Sequence, residues 1–249
     1  MPEVSSLFGA VPEAVNNALG LRVSESESYD QWGPFKHRTL SETDGRAVAA
    51  AVFAATREGF AYASREAKRP PSRENWRMEP QLGKWNPLSP EVDLERRLIK
   101  ARSRRDWCNQ VPVASGLAGG RACIDLVHDR GDGCYDFVEL KVDDQHPVYA
   151  AVEILHYGFV WLLSRGELGY PDDLPLLNAT EVRLCVLAPE TFYRDAEKTG
   201  RWAGFAAGLN GGVAMEAEKR GVRMAFRFEQ FNESAVDDVL RSLLDDRFV

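Results

Sequence analysis

The sharpest alternation of apolar and polar positions lies in the middle of the chain. In Phe137-Val-Glu-Leu-Lys-Val142, Val138, Leu140 and Val142 fall on one side and Phe137, Glu139 and Lys141 on the other. That is the period of two expected of a strand with one face toward a core. The preceding run, Ala122–His128 (ACIDLVH), sets Ile124 and Leu126 against Asp125 in the same way. Between them, Asp129-Arg-Gly-Asp-Gly133 carries the turn chemistry of a tight hairpin. The pattern predicts strands over Ala122–His128 and Tyr135–Asp143, with further strands at Val182–Leu187 (VRLCVL) and Val222–Phe231 (VRMAFRFEQF).

Helical spacing surrounds these strands. Arg46–Ala63 is Ala-rich, and Ser41-Glu-Thr-Asp44 supplies an N-cap before it. Ser89-Pro-Glu-Val opens a helix predicted to reach about Trp107, and Pro147 opens another to about Arg165. The second is apolar nearly all round, which places it inside the protein on most sides. Thr191–Arg220 reads as helical with a break at Gly208–Gly212, and Ser234–Asp246 as a closing helix. A stretch from Pro70 to Pro90 is rich in Pro and Trp; Trp76, Met78 and Trp85 want burial, so it reads as an ordered connector. The succession implies an α/β fold, a three-layer α/β/α arrangement around a small mixed central sheet, plus a mostly helical N-terminal region. The expected division is a helical region with its connector over residues 1–88 and the α/β domain over 89–249.

Composition adds limits. Cys108, Cys123, Cys134 and Cys185 form no C-x-x-C, and His37, His128, His146 and His156 complete no zinc spacing. They read as free thiols in a reducing compartment. Met1–Leu21 lacks the pattern of a secretory signal. The longest apolar run, Val148–Leu163, contains Glu153 and His156 and is too short and polar for a membrane span. The expectation is a soluble, cytoplasmic protein.

The chemistry concentrates on the hairpin. A turn centred near Asp132 sets Asp125 across from Glu139, where opposed Cβ atoms stand roughly 4.5–5.5 Å apart. Two carboxylates side by side repel. A hard divalent cation resolves that conflict, because Mg²⁺ takes oxygen ligands from one or two carboxylates. Lys141, on the same face, supplies a compact positive charge. Glu95 comes from the earlier helix, where Val92, Glu95 and Ile99 share a stripe beside Leu94 and Leu98; a glutamate on an apolar stripe needs a partner. Glu153 and His156 are either a supporting contact to this site or a polar stripe with Tyr149 and Tyr157, and spacing leaves both open. Asp129, Asp132 and Asp136 read as turn residues. Gly116-Leu-Ala-Gly-Gly120 lacks the Lys-Ser/Thr of a phosphate loop.

A helix bearing Glu95, a strand bearing Asp125, then Glu139-Leu-Lys141, an apolar helix and another strand: this order resembles the PD-(D/E)XK nuclease superfamily, the restriction-endonuclease-like proteins. The resemblance covers about Ser89–Leu187, and Ile124 stands where the family name has proline. It implies a mixed sheet between helices and Mg²⁺-dependent (or Mn²⁺-dependent) phosphodiester cleavage, usually of DNA. Asp125 and Glu139 would hold the metal, Glu95 would assist, and Lys141 would stabilise charge or position water. Many members act as dimers, and no interface is legible in this chain. The alternatives are a nuclease-like fold without catalysis that binds nucleic acid or a protein, and a different hydrolase using the same carboxylates.

The net charge of −7 argues against a general polyanion binder. Its distribution narrows that statement. Arg65–Arg105 holds 12 Lys and Arg against 6 Asp and Glu, so any nucleic-acid contact is expected on one basic face around that segment, with Trp76 and Trp85 nearby.

Overall fold

The structure, a computed structural model, describes residues 7, 9–21, 39–66, 71–82, 90–101, 106–117, 122–142, 146–166, 170, 173–197 and 202–231. The expected closing helix, Asp143, Trp85, Arg102, Arg104 and Arg105 lie outside the described residues.

The hairpin forms as its turn chemistry requires. Strand β2 (Cys123–Gly131) turns into β3 (Cys134–Leu140) through Asp132-Gly133. Both residues have positive φ, 54° and 75°, the signature of the tight turn that matches strand twist. Asp129 Oδ1 accepts the Gly131 N–H at 2.8 Å. Strand β1 (Trp107–Pro112) pairs antiparallel with β2, while β4 (Glu181–Pro189) and β5 (Arg223–Phe231) extend the sheet in parallel from β3. The five-stranded mixed sheet has the order β1-β2-β3-β4-β5.

Strand β1 corrects the sequence reading, which carried the helix to Trp107. Helix α3 spans Pro90–Ala101, and Trp107 begins a strand. Six residues, two of them amides and one a proline, give no alternation to read; only the partner β2 makes them a strand.

Helices cover both faces. On one side, Leu98 and Ile99 of α3 pack with Trp107, Leu126, Val138, Leu140, Cys185 and Leu187. The other side holds the larger core, under α4 (Pro147–Ser164), α5 (Glu190–Glu197) and α6 (Trp202–Glu218). The α4 N-terminus is capped by His146, whose Nδ1 accepts the Val148 N–H at 2.9 Å. By length and composition α4 could cross a membrane, yet nearly all its side chains are buried inside the protein. Gly208–Gly212 continues within α6 instead of breaking it.

Behind these helices stand α1 (Val11–Ala18) and α2 (Glu42–Glu66), so the N-terminal helices join the same core. Ser41 and Asp44 form the expected cap reciprocally: the Ser41 N–H donates to Asp44 Oδ2 at 2.8 Å and the Asp44 N–H to Ser41 Oγ at 3.3 Å. Where α2 crosses α6, Gly45 and Gly208 face the opposing backbone. A Cβ at Gly208 would lie 2.0 Å from the Glu42 carbonyl oxygen.

The described part of the connector is ordered. Trp76 is fully buried, and its backbone N–H donates to the Pro112 carbonyl at 2.9 Å. Asn75 clamps Ser115, donating to its carbonyl at 2.9 Å and accepting its N–H at 3.1 Å.

All four cysteines are free. Cys108 and Cys185 are buried, and burial pushes both thiols up to about 12.

Candidate active site: a carboxylate cluster with one lysine

The expected side chains meet where α3, the hairpin and α4 converge. Both faces of β3 are buried, which corrects the simple split into a core face and a polar face. Val138 and Leu140 point to the smaller cluster under α3, whereas Phe137 belongs to the larger core. Glu139 and Lys141 share the parity of Phe137, so they enter the protein beneath α4.

Asp125 sits at an irregularity. In β2, Ile124 and Val127 both reach the larger core while Leu126 reaches the smaller one. Cys108 and Val111 of β1 likewise share one core although three residues apart. A regular strand cannot do this; the alternation slips by one residue at Asn109–Gln110 and at Asp125. Gln110 absorbs the slip with φ of 53°, uncommon for a residue with a Cβ. The β2–β3 ladder ends at Leu126 opposite Val138. One step on, Asp125 falls opposite Glu139 as the alternation predicts, and its Oδ2 accepts the Leu140 N–H at 2.9 Å.

Glu95 is buried on α3. Its two oxygens each accept from Gln110 Nε2 at 3.1 Å, and Oε2 accepts from Asn109 Nδ2 at 3.3 Å. The same Gln110 amide reaches Asp125 Oδ1 at 3.4 Å. Asn109 also ties down the connector, accepting the Gln81 N–H at 2.9 Å. Lys141 Nζ lies 2.7 Å from Glu139 Oε1 and 3.1 Å from Glu153 Oε2. The Tyr157 hydroxyl donates to Glu153 Oε1 at 3.1 Å.

Glu153 therefore belongs to the site, whereas His156 does not. Thr56 Oγ1 donates to the Val52 carbonyl at 2.6 Å and stands 2.9 Å from His156 Nδ1. Burial pulls that imidazole down to about 3, which makes it a neutral core histidine pinning α4 to α2. Asp136 corrects another expectation. It is buried within β3, not in the turn, and pairs with Arg130 at 3.2 Å and His128 at 3.3 Å. Asn109 and Gln110 went unnoticed in the sequence because they lay beyond the helix as read.

Charge balance defines the cluster. Asp125, Glu139 and Glu153 lie about the Lys141 ammonium, Glu95 joins them through Gln110 and Asp125, and Glu91 adds its charge to Glu95 and Asp125. Burial, reinforced by Asp125, pushes Glu95 up to about 8. Burial pushes Asp125 up to about 7 even though Lys141 and the Leu140 N–H oppose it. Glu139 is raised by burial and then by Asp125 and Glu153. For Lys141, burial opposes the charge, but Glu139, Glu153 and Asp125 outweigh it and hold the group above the usual lysine range. One oxygen of Glu139, Oε2, is buried without a hydrogen-bond partner.

As the side chains stand, among the described residues no three His, Cys, Asp or Glu close round one point as a metal cage. Gln110 separates Glu95 from Asp125, and Lys141 occupies Glu139. Mg²⁺ needs only one or two carboxylates and fills its other positions with water. The hard-oxygen donors, the unpartnered Glu139 Oε2 and the half-buried Asp125 fit such an ion.

A thermal prediction follows from the raised carboxyls. Unfolded Asp and Glu titrate near pH 4, and folded Asp125 and Glu95 near 7 and 8. Between these values the folded chain holds more protons than the unfolded chain, so stability falls as pH rises from about 4 to 8. Melting in metal-free buffer is expected to show this decline. Millimolar Mg²⁺ or Mn²⁺ is expected to raise the melting temperature at pH 8 more than at pH 5, because only ionised carboxylates bind the ion. An equal response at both pH values would remove the carboxylates as its ligands.

Compared with known protein families, with curated proteins and with solved structures, the chain matches none.

Proposed function

We propose that the protein is a metal-dependent phosphodiesterase acting on nucleic acid, DNA before RNA, in the manner of the PD-(D/E)XK nucleases that its motif resembles. One observation carries the reading: Asp125 and Glu139 gather about Lys141, and the Gln110 amide ties Glu95 to Asp125, which sets more carboxylates than cations in one place. Folding alone disfavours that arrangement, since buried charge without compensation is costly. Asp125 and Glu139 would hold Mg²⁺ or Mn²⁺, with Glu95 assisting. The ion would supply Lewis-acid polarisation of a phosphoryl oxygen and a more acidic bound water.

The remaining roles belong to the chain itself. Lys141 acts as a fixed cation beside the phosphoryl group, since its carboxylate partners keep it protonated and unfit to be a base. Glu153, steadied by Tyr157, holds the ammonium from the far side. Gln110 and Asn109 fix the Glu95 carboxylate relative to Asp125. The nucleic acid would approach on the basic face expected around Arg65–Arg105, along α3, where Arg97 and Lys100 are exposed; Arg65 lies in the last turn of α2, which packs on the other side of the sheet.

The test is a cleavage panel on single-stranded DNA, double-stranded DNA and RNA with Mg²⁺ or Mn²⁺. Asp125→Asn is expected to lower cleavage by about 10²–10³-fold, the scale of losing one charge-stabilising group. The same variant is expected to melt higher at pH 8, because a neutral amide removes a repulsive buried charge. Undiminished cleavage by Asp125→Asn would overturn the assignment.

The second reading, a nuclease-like fold that binds without cutting, draws on a specific feature. Gln110 and Lys141 already satisfy much of the cluster with protein groups. Calorimetry separates the two: heat of Mn²⁺ binding lost in Glu139→Gln supports catalysis, and no binding heat at pH 8 supports the non-catalytic module.

A further inference from the structure

Along α6 and the outer edge of β5 lies a cavity of about 540 Å³ that the carboxylate cluster does not use, a size typical of small-ligand sites. Strand register decides which side chains face it. Phe226 and Phe228 pair with Leu184 and Val186, whose side chains enter the larger core, so both rings turn toward α6. Gln230 follows the same parity. Arg227 and Glu229 have the opposite parity, and Arg227 reaches the Cys185 thiol on the other face.

The groove is therefore mainly aromatic on its α6 side, with Arg227 and Glu229, paired at 3.2 Å, completing its lining. Trp202 lies 4.6 Å from Phe228 between ring centroids, and Tyr193 lies 5.6 Å from Phe228. Tyr193 and Phe226 are buried, whereas Trp202 and Phe228 are half-exposed and Asn210 and Gln230 are exposed. Asn210 Oδ1 accepts the Phe226 N–H at 2.8 Å, capping the strand edge. Flat π-faces beside two amides suit a planar heteroaromatic ring, and Glu229 already answers the Arg227 charge that a phosphate would need.

Its position links it to the cluster. Glu139 pairs with Val186, and Val186 with Phe228. Glu139 and Phe228 thus occupy one row on one face of the sheet, two strands apart, or about 10 Å at the usual strand spacing. Both lie toward the C-terminal ends of parallel strands, and the Tyr193 hydroxyl donates to the carbonyl of Val186, on the strand between them, at 2.8 Å.

We infer that this groove is a base-binding subsite, which stacks one unpaired nucleobase of a single strand whose backbone passes the Glu139–Lys141 cluster. The choice of ligand rests on the phosphodiesterase reading. An unpaired base is required because a base within a duplex already has both faces stacked.

The test uses the full chain carrying Asp125→Asn, with fluorescence anisotropy of a labelled oligothymidylate. Trp202→Leu keeps an apolar side chain but removes the π-face, and is expected to weaken binding about tenfold; Trp202→Phe is expected to recover most of it. Gln230→Ala, at an exposed position, is expected to weaken binding severalfold. A single abasic position moved along the strand should reproduce the Trp202→Leu loss at one place, where the substitution then has no added effect. Unchanged affinity in both Trp202→Leu and Gln230→Ala, with wild-type cleavage present, overturns the subsite and leaves the phosphodiesterase standing. Absence of both binding and cleavage for every nucleic acid removes both.

Discussion

Lys141→Met is expected to lower stability by about 3–5 kcal/mol at pH 8, the range for stripping one partner from a buried ion pair. The side chain is 6% exposed and lies against Glu139 at 2.7 Å and Glu153 at 3.1 Å. Methionine fills a similar volume, so lost packing contributes little and the effect isolates the charge. Removing the ammonium leaves Glu139 and Asp125 more reluctant still to ionise in the folded state. Below their folded titration both carry protons and need no counter-ion. The penalty is therefore expected to shrink to less than half at pH 5. Urea titrations at the two pH values measure it, with an unchanged m-value showing that only stability has moved. A variant as stable as wild type at pH 8 would mean that the carboxylates stay protonated or open to water, and the charge argument for the site would fail. A loss of this size consumes much of the 5–15 kcal/mol typical of a whole protein.

Gly208→Ala carries the second large effect. In an ordinary helix the change would stabilise by up to about 1 kcal/mol, because alanine is the better helix former. Here the new Cβ would stand 2.0 Å from the Glu42 carbonyl oxygen and 3.0 Å from the Arg46 nitrogen. Those atoms are backbone and cannot rotate away, so α2 and α6 must separate. Gly45 makes the reciprocal approach, with a Cβ position 2.2 Å from the Phe205 carbonyl oxygen. The net loss is expected to be about 2–3 kcal/mol, the overpacking cost exceeding the propensity gain. Gly211→Ala is the control within the same helix: its nearest neighbour would be the flexible Arg46 guanidinium at 3.8 Å, so it should be neutral or stabilising. Equal effects at the two glycines would show that α2 does not pack on α6 as closely as described.

Local signals in the chain determined much of this. The Asp132-Gly133 turn, the Ser41–Asp44 cap, the proline at the start of α4 and the alternation of β3 depend on neighbours within a few residues, and the structure carries each of them. The same alternation was enough to select Asp125, Glu139 and Lys141, and the α3 stripe was enough to select Glu95. The buried, apolar character of α4 also followed from its composition, since a helix without a polar face must be enclosed.

Other features arise only when distant segments meet. Strand β1 exists because β2 pairs with it; its own residues lack a pattern. The slip at Gln110 and Asp125 stores an unfavourable φ that no local preference would choose, and tertiary packing alone holds such a conformation. Glu153 and His156 stand three residues apart on one helix, and sequence spacing treats them alike. Lys141 draws the first into the carboxylate cluster, and Thr56, 100 residues away in the chain, fixes the second in the core. Periodicity records which residues share a face of one element. Which elements pack on that face, and so whether a carboxylate meets water, an amide or an ammonium, is a property of the folded chain.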